Sequence, residues 1–127
     1  MSEKEAVLAA NLDFYRAFTA RDLAAMDRLW ARKAPVACTH PGWVPLAGRS
    51  TVMASWHDIL SDTGSLPITC HDCIVLVYGA MAMAMVLCEE EFAGDHFAAT
   101  NVFIVEDGAW RLLHHHASAL PPRSRAH

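Results

Sequence analysis

The sequence predicts an α+β domain, in which three helices come first and pack on one face of a following antiparallel sheet. Three observations carry this reading. Apolar residues recur at spacings of three and four up to Leu60. From Ile68 onward the chain turns to β-type runs, at about 68–78, 80–92, 95–106 and 109–118. Short turns separate these runs at Tyr78-Gly79, Ala93-Gly94 and Asp107-Gly108, and Asp-Gly between alternating strands is a strong hairpin signal.

The elements follow in order. Val7, Ala10, Phe14 and Ala17/Phe18 form one apolar stripe over residues 3–20, which predicts the first helix. Asp22 suits the N-cap of a second helix carrying Leu23, Met26, Leu29 and Trp30, and Pro35 closes it. Val36 to Thr39 reads as a short strand, and His40-Pro41-Gly42-Trp43-Val44-Pro45 as a loop. Ser50 is the expected cap of a third helix, with Val52, Trp56, Ile59 and Leu60 on one face. Ser61 to Pro67 is a turn-rich linker, and the four strands that follow form a meander.

Composition bounds what such a domain can do. The chain has 127 residues, 54% hydrophobic and 19% charged, which fits one packed domain over 1–120 with a frayed tail at 121–127. The net charge is −4 and the Lys and Arg residues are scattered, which argues against a nucleic-acid surface. The polar start carries no basic segment followed by an apolar one, and the longest uncharged run, Cys73 to Cys88, is shorter than the roughly 20 residues a spanning helix needs. A cytoplasmic protein without membrane contact is expected. Its four cysteines are then reduced, small buried hydrophobes.

The turns assign faces. A two-residue Asp107-Gly108 loop pairs Phe103 with Leu112 and Asn101 with His114. One face then holds Phe97, Asn101, Phe103, Trp110, His114, His116 and, through Ala93-Gly94, Val86 and Glu90. Less securely, His71, Cys73 and Val75 join it. The opposite face holds Met81, Met83, Met85, Val102, Ile104, Leu113 and His115. Both faces are largely apolar, whereas one layer of helices covers only one. The surplus predicts a homodimer through Met81, Met83, Met85, Val102, Ile104 and Leu113.

Phe14-Tyr15-Arg16-Ala17-Phe18, Asp22-Leu23-Ala24-Ala25-Met26, His40-Pro41-Gly42-Trp43, Leu46-Ala47-Gly48-Arg49 and the ending Gly108-Ala109-Trp110-Arg111-Leu112-Leu113-His114-His115-His116-Ala117-Ser118 resemble the nuclear transport factor 2-like superfamily, SnoaL-like branch. The ending is also similar to that of the calcium/calmodulin-dependent kinase II association domain. The resemblance runs to about Pro121. It implies a cone-shaped α+β fold, a cavity between sheet and helices, and dimerisation through the outer sheet face. The family includes ketosteroid isomerase, polyketide cyclases, dehydratases, transport adaptors and association domains, so fold does not decide function. The chain departs from the isomerase pattern of an acidic base with a Tyr–carboxylic acid pair. Tyr15 lies in a helical Phe-Tyr-x-x-Phe that reads as core, and Glu90 falls near a strand end.

The expected ligand is small and mainly apolar. Phe97, Phe103, Trp110, Trp43 and Val86 supply walls, and Asn101, His114 and His116 a polar end, with His40 and Tyr15 as further lining candidates. His114 and His116, two apart in a strand, share a face with Asn101. They line a pocket, satisfy one another structurally, or ligate a metal. In an isomerase, dehydratase or cyclase they would be the catalytic acid/base pair, since an ordinary imidazole titrates near working pH. A structural association module is the third reading. His40-Pro41-Gly42-Trp43 either presents Trp43 to a ligand or plugs the end of the cone, while Trp56 and Trp30 read as core. Arg49 before the third helix could hold an anion. Cys70-His71-Asp72-Cys73 lies in a strand, where residues three apart point to opposite faces, so no shared metal or disulfide is expected. No cofactor and no metal are predicted. Glu89-Glu90-Glu91 reads as a solvated strand end.

Overall fold

In the computed structural model, residues 1–62 and 67–122 are described. Part of the expected linker (63–66) and most of the expected frayed tail (123–127) lie outside them. Helix α1 spans Glu3–Ala20. Ser2 starts it with a reciprocal capping box, its hydroxyl accepting from the Glu5 N–H while the Glu5 carboxylate accepts from the Ser2 N–H. Arg21, at φ 55°, ends it. Asp22 then caps α2 (Leu23–Leu29) as expected, accepting from the Ala25 N–H at 3.0 Å.

Helix α3 (Arg49–Leu60) departs from expectation at its start. Ser50 is not its cap; the helix follows Gly48, at φ 93°, with no side-chain cap. The entry is fixed elsewhere. The Gly48 N–H donates to Val36 O at 2.9 Å, and the Arg49 guanidinium reaches back to four acceptors on Asp27, Trp30 and Ala31. Arg49 is therefore a staple of the fold, committed to protein carbonyls rather than open to an anion.

The sheet has six strands in the order β2-β1-β6-β5-β4-β3. They are β1 (Ala37–Thr39), β2 (Leu46–Ala47), β3 (Thr69–Tyr78), β4 (Met83–Phe92), β5 (Asp95–Glu106) and β6 (Ala109–Ala119). The expected meander is there as β3 to β6. The sheet as a whole is mixed rather than antiparallel, because β1 joins β6 in parallel. Ala93-Gly94 and Asp107-Gly108 are two-residue turns with all four residues at positive φ, the geometry that matches strand twist. The turn after Tyr78 is longer: Tyr78 pairs with Met83 across a 3₁₀ turn at Gly79–Met81.

Two β-bulges re-aim side chains. In β6, Phe103 pairs with Leu112 as expected, but Val102 pairs with His114, leaving Leu113 as the extra residue. Beyond it every side chain changes face. Asn101 therefore meets His115, which is buried, while His114 and His116 lie on the outer face. The expected inward placement of His114 and His116 is thus corrected by one residue. In β3, the register shifts between His71 and Ile74, with Asp72 at φ 55°. Cys70 and Cys73 both pack inward, and His71 pairs with Glu89 on the outside. The expectation that the two cysteines face apart is overturned by the same physics.

The inner face of β4 and β5 (Ala84, Val86, Cys88, Ala99, Phe103) packs in one core with the apolar stripe of α1, while α3 lies against β1 and β2. Phe14 is the hinge of this packing, with ring centroids 4.8 Å from Tyr15, 5.5 Å from Trp56 and 4.9 Å from His115.

Candidate functional site

A cavity of about 440 Å³ opens between α1, α3, the loop after β1 and the sheet. Its walls are apolar: Phe18, Ile59, Leu60, Ile68, Phe92 and Phe97. Arg21, Asp58 and Asp62 bring polar groups to it, and Trp43 stands 43% exposed against it. Two imidazoles, His40 and His115, supply its buried polar end, 3% and 1% exposed. Their ring centroids are 6.3 Å apart. Trp43 and Trp56 pack edge-on against His40 at 4.9 and 4.8 Å.

Hydrogen bonds fix the tautomer of each imidazole. The single Ser55 hydroxyl proton goes to Val52 O at 2.6 Å, so Ser55 Oγ accepts from His40 Nε2 at 2.8 Å. His40 Nδ1 is then the lone-pair nitrogen, and the Cys38 sulfur lies beside the ring, 3.6 Å from Nε2 and 3.9 Å from Nδ1. The Asn101 amide nitrogen donates to Asn11 Oδ1 at 2.8 Å and to the Tyr15 hydroxyl at 3.1 Å. Its Oδ1 therefore accepts, and His115 Nδ1 carries the proton. His115 Nε2 keeps its lone pair, 4.0 Å from Glu90 Oε2. Tyr15 donates to that same Glu90 oxygen at 2.6 Å.

Burial shapes the charges. It depresses His40 to about 4. It depresses His115 to about 3, helped by the nearby His40, His114 and His116. Both imidazoles are neutral at pH 7. Burial pushes Glu90 up to about 6 despite the Tyr15 bond, and raises Tyr15, burial first and Glu90 second. The Cys38 thiol is pushed up to about 12, again by burial.

Of the residues singled out by sequence, His40, Trp43 and Phe97 line the cavity. Asn101 and Tyr15 belong to the hydrogen-bonded network behind His115. Val86 and Phe103 are buried core, and Trp110 is half-buried one pair from the β5–β6 turn. His114 donates from Nδ1 to Ala37 O at 3.0 Å on the outer face. Sequence reasoning missed His115, Asn11 and the pairing of Tyr15 with Glu90. A run of three histidines in a strand always turns at least one inward; only the bulge says which. Among the described residues, side chains grouped closely enough to hold a metal lie outside this cavity, at Cys70, Cys73 and Cys88 and around His71.

Helices laid on a mixed sheet, with a cavity between them lined by side chains from both, define an NTF2-like, cystatin-like α+β protein. The chain belongs to the SnoaL-like domain family, whose model matches residues 7–122. It is 32% identical to a candidate dehydratase of the NTF2-like family from Streptomyces avermitilis, with a TM-score of 0.82 over 94% of this chain and 96% of that one. It is 31% identical to a candidate calcium/calmodulin-dependent protein kinase type II association domain from Thiobacillus denitrificans, with a TM-score of 0.79 over 90% and 94% of the two chains. Among curated proteins it is 28% identical over 115 residues to the F-box protein SKIP8 of Arabidopsis thaliana. That match takes in 91% of this chain and 50% of the relative, so the chain spans about half the relative's length.

Proposed function

We propose that the cavity binds a small, mainly apolar molecule with one polar, hydrogen-donating end, seated between His40 and His115. The observation that carries this reading is a pair of neutral imidazoles of fixed tautomer at the end of an otherwise apolar pocket. Each keeps one nitrogen lone pair for a donor such as a hydroxyl. The probe 1-naphthol has this chemistry, an apolar double ring with one hydroxyl. Saturable one-to-one binding is expected for the wild type. Ile59→Trp, which fills the cavity, is expected to lose it. Non-saturable uptake, or uptake unchanged by Ile59→Trp, contradicts the reading.

A second reading makes the same pair a proton-transfer site. It is supported by the water-poor surroundings that keep His115 unprotonated, and by the dehydratase name of one relative. Its mark is catalysed exchange of the α-hydrogens of 2-tetralone in D₂O, lost in His115→Phe. The absence of any exchange above the buffer rate rules it out and leaves binding alone.

The outward face of the sheet supports a second copy of the chain as partner. Ile74, Leu76 and Tyr78 are exposed there, beside Met83, Met85, Val102 and Ile104, while Met81, expected on this face, is exposed in the 3₁₀ turn after β3 instead. No helix among the described residues is long and apolar enough to cross a membrane. All four cysteines are free, as a cytoplasmic location would keep them.

A further inference from the structure

The bulge at Asp72 does more than turn β3. It brings Cys70 and Cys73 to one face, with their sulfurs 3.5 Å apart, and sets them against Cys88 on β4. The three sulfurs all lie within 4.8 Å of one another. Sulfurs bound to one tetrahedral ion at about 2.3 Å must stand roughly 3.8 Å apart, and about 4.0 Å apart in a trigonal site. One pair stands 3.5 Å apart and no pair stands beyond 4.8 Å, so side-chain shifts of up to about an ångström would close the cluster.

Polar groups approach the sulfurs. The Asn11 amide donates to Cys70 Sγ at 3.6 Å and to Cys73 Sγ at 4.0 Å. The Asn101 amide donates to Cys88 Sγ at 3.9 Å, and the Tyr15 hydroxyl lies 3.5 Å from the same sulfur. Two amides from other elements thus converge on the three sulfurs, the kind of outer shell that tunes a metal–thiolate centre. An entry path exists, because Cys70 and Cys73 are only partly buried. Three small hydrophobes would need neither the bulge nor the amide donors.

We propose that Cys70, Cys73 and Cys88 form a three-thiolate site for a thiophilic d¹⁰ cation, with Zn²⁺ favoured over Cu⁺. The preference follows from charge. Three thiolates around Zn²⁺ leave one uncompensated negative charge and around Cu⁺ two, in a partly buried place that already holds Glu90. None of the three cysteines lines the His40–His115 cavity, and Asn101 and Tyr15 stand between the two sites.

The test is a titration of the reduced, tag-free full chain with Co²⁺ under anaerobic conditions. One equivalent should bind with thiolate-to-cobalt charge-transfer absorption, and Zn²⁺ should erase the band. Competition for Cu⁺ against bicinchoninate, run in parallel, should show Zn²⁺ to be held well and Cu⁺ no better than its chelator holds it; strong Cu⁺ retention with no Zn²⁺ binding overturns the ion assignment. Cys73→Ser, at a partly buried position, and Cys70→Ser should each lose affinity by more than the roughly 10–100-fold that removal of an outer-shell group costs. Asn11→Leu should fall inside that 10–100-fold range. Cys38→Ala should bind as the wild type does. Wild-type chain that stays folded by circular dichroism yet shows no charge-transfer band overturns the site, as does a band that survives in the Cys variants.

Discussion

His115 and His40 show how burial converts an ordinary imidazole into a neutral acceptor, and the conversion has a pH signature. Both histidines titrate well below the usual 6.5, so below that pH the unfolded chain binds protons that the folded chain refuses. Stability therefore falls as pH drops from about 6.5 towards 4, by about 1.4 kcal/mol per pH unit for each such proton. Glu90 acts in the opposite direction. Its carboxyl, raised from 4.5 to about 6, takes up a proton in the folded chain first and offsets one histidine over that interval. Asp27 and Glu106 are held below their ordinary values. For Asp27 the bonds and charges of Arg32 and Arg49 outweigh burial, and for Glu106 the N–H groups of Arg32, Ala34 and Lys33 do. Both act with the histidines, at lower pH. Urea midpoints measured from pH 7 to 4.5 should fall steadily. Glu90→Gln should steepen the fall and His40→Gln should flatten it. A midpoint that holds constant or rises on acidification from 6.5 to 5 would show these imidazoles to be protonated in the folded state.

At the scale of elements, the helices are held to the sheet by a few polar staples as well as by the Phe14 cluster. Arg49 ties α3 to the end of α2 through Asp27 O at 2.7 Å, Asp27 Oδ1 at 2.8 Å, Trp30 O at 3.0 Å and Ala31 O at 3.1 Å. Glu106 does the same from β5, accepting from the N–H groups of Arg32, Lys33 and Ala34 at 2.8, 3.0 and 2.8 Å. Arg49→Met keeps the length of the side chain and strands those carbonyls. It should cost about 2–3 kcal/mol in urea unfolding, the scale of charge-assisted hydrogen bonds. A loss under about 0.5 kcal/mol, the scatter of ordinary surface substitutions, would show the staple to be incidental.

The same scale explains what could be read in the residues beforehand. The bounds of α1, the Asp22 cap and the four long strands rest on local signals: apolar period, cap chemistry and Asp-Gly turns. They are visible because each is written within a few neighbouring residues. The inward face of β6 beyond Leu113 and of β3 before Ile74 is not. A bulge adds one residue without changing composition, and one residue reverses every side chain beyond it. That is why Asn101 and Phe97 could be set on the inner face, while His115 was displaced to the wrong face and Val86, Phe103 and Trp110, expected as walls, lie outside the cavity lining. The parallel pairing of Cys38 with His115 brings β1 beside β6, and no short-range pattern announces such a long-range contact. The cysteine cluster was hidden for the same reason.

For the whole molecule, one layer of helices leaves half the sheet uncovered. Ile74 at 57% exposure and Leu76 at 39% sit on that uncovered side, with His114 and His116 at its β6 end. The proposed second copy would cover it. Sedimentation at micromolar concentration should give twice the mass of the chain, and Leu76→Glu, which places a charge among the exposed apolar residues of β3, should give the single chain. A wild-type monomer at that concentration would leave this face without its proposed partner.

His40 and His115, rather than His114 and His116, face the cavity in which the proposed ligand sits. Chain labelled with ¹⁵N in its imidazoles, titrated with 1-naphthol, tests this directly by NMR. The predicted result is that the ring nitrogens of His40 and His115 shift on saturation, in the neutral tautomers fixed by Ser55 and Asn101, while His114 and His116 stay in place. Shifts confined to His114 and His116 would put the ligand on the outer face of the sheet and contradict the assignment of the cavity.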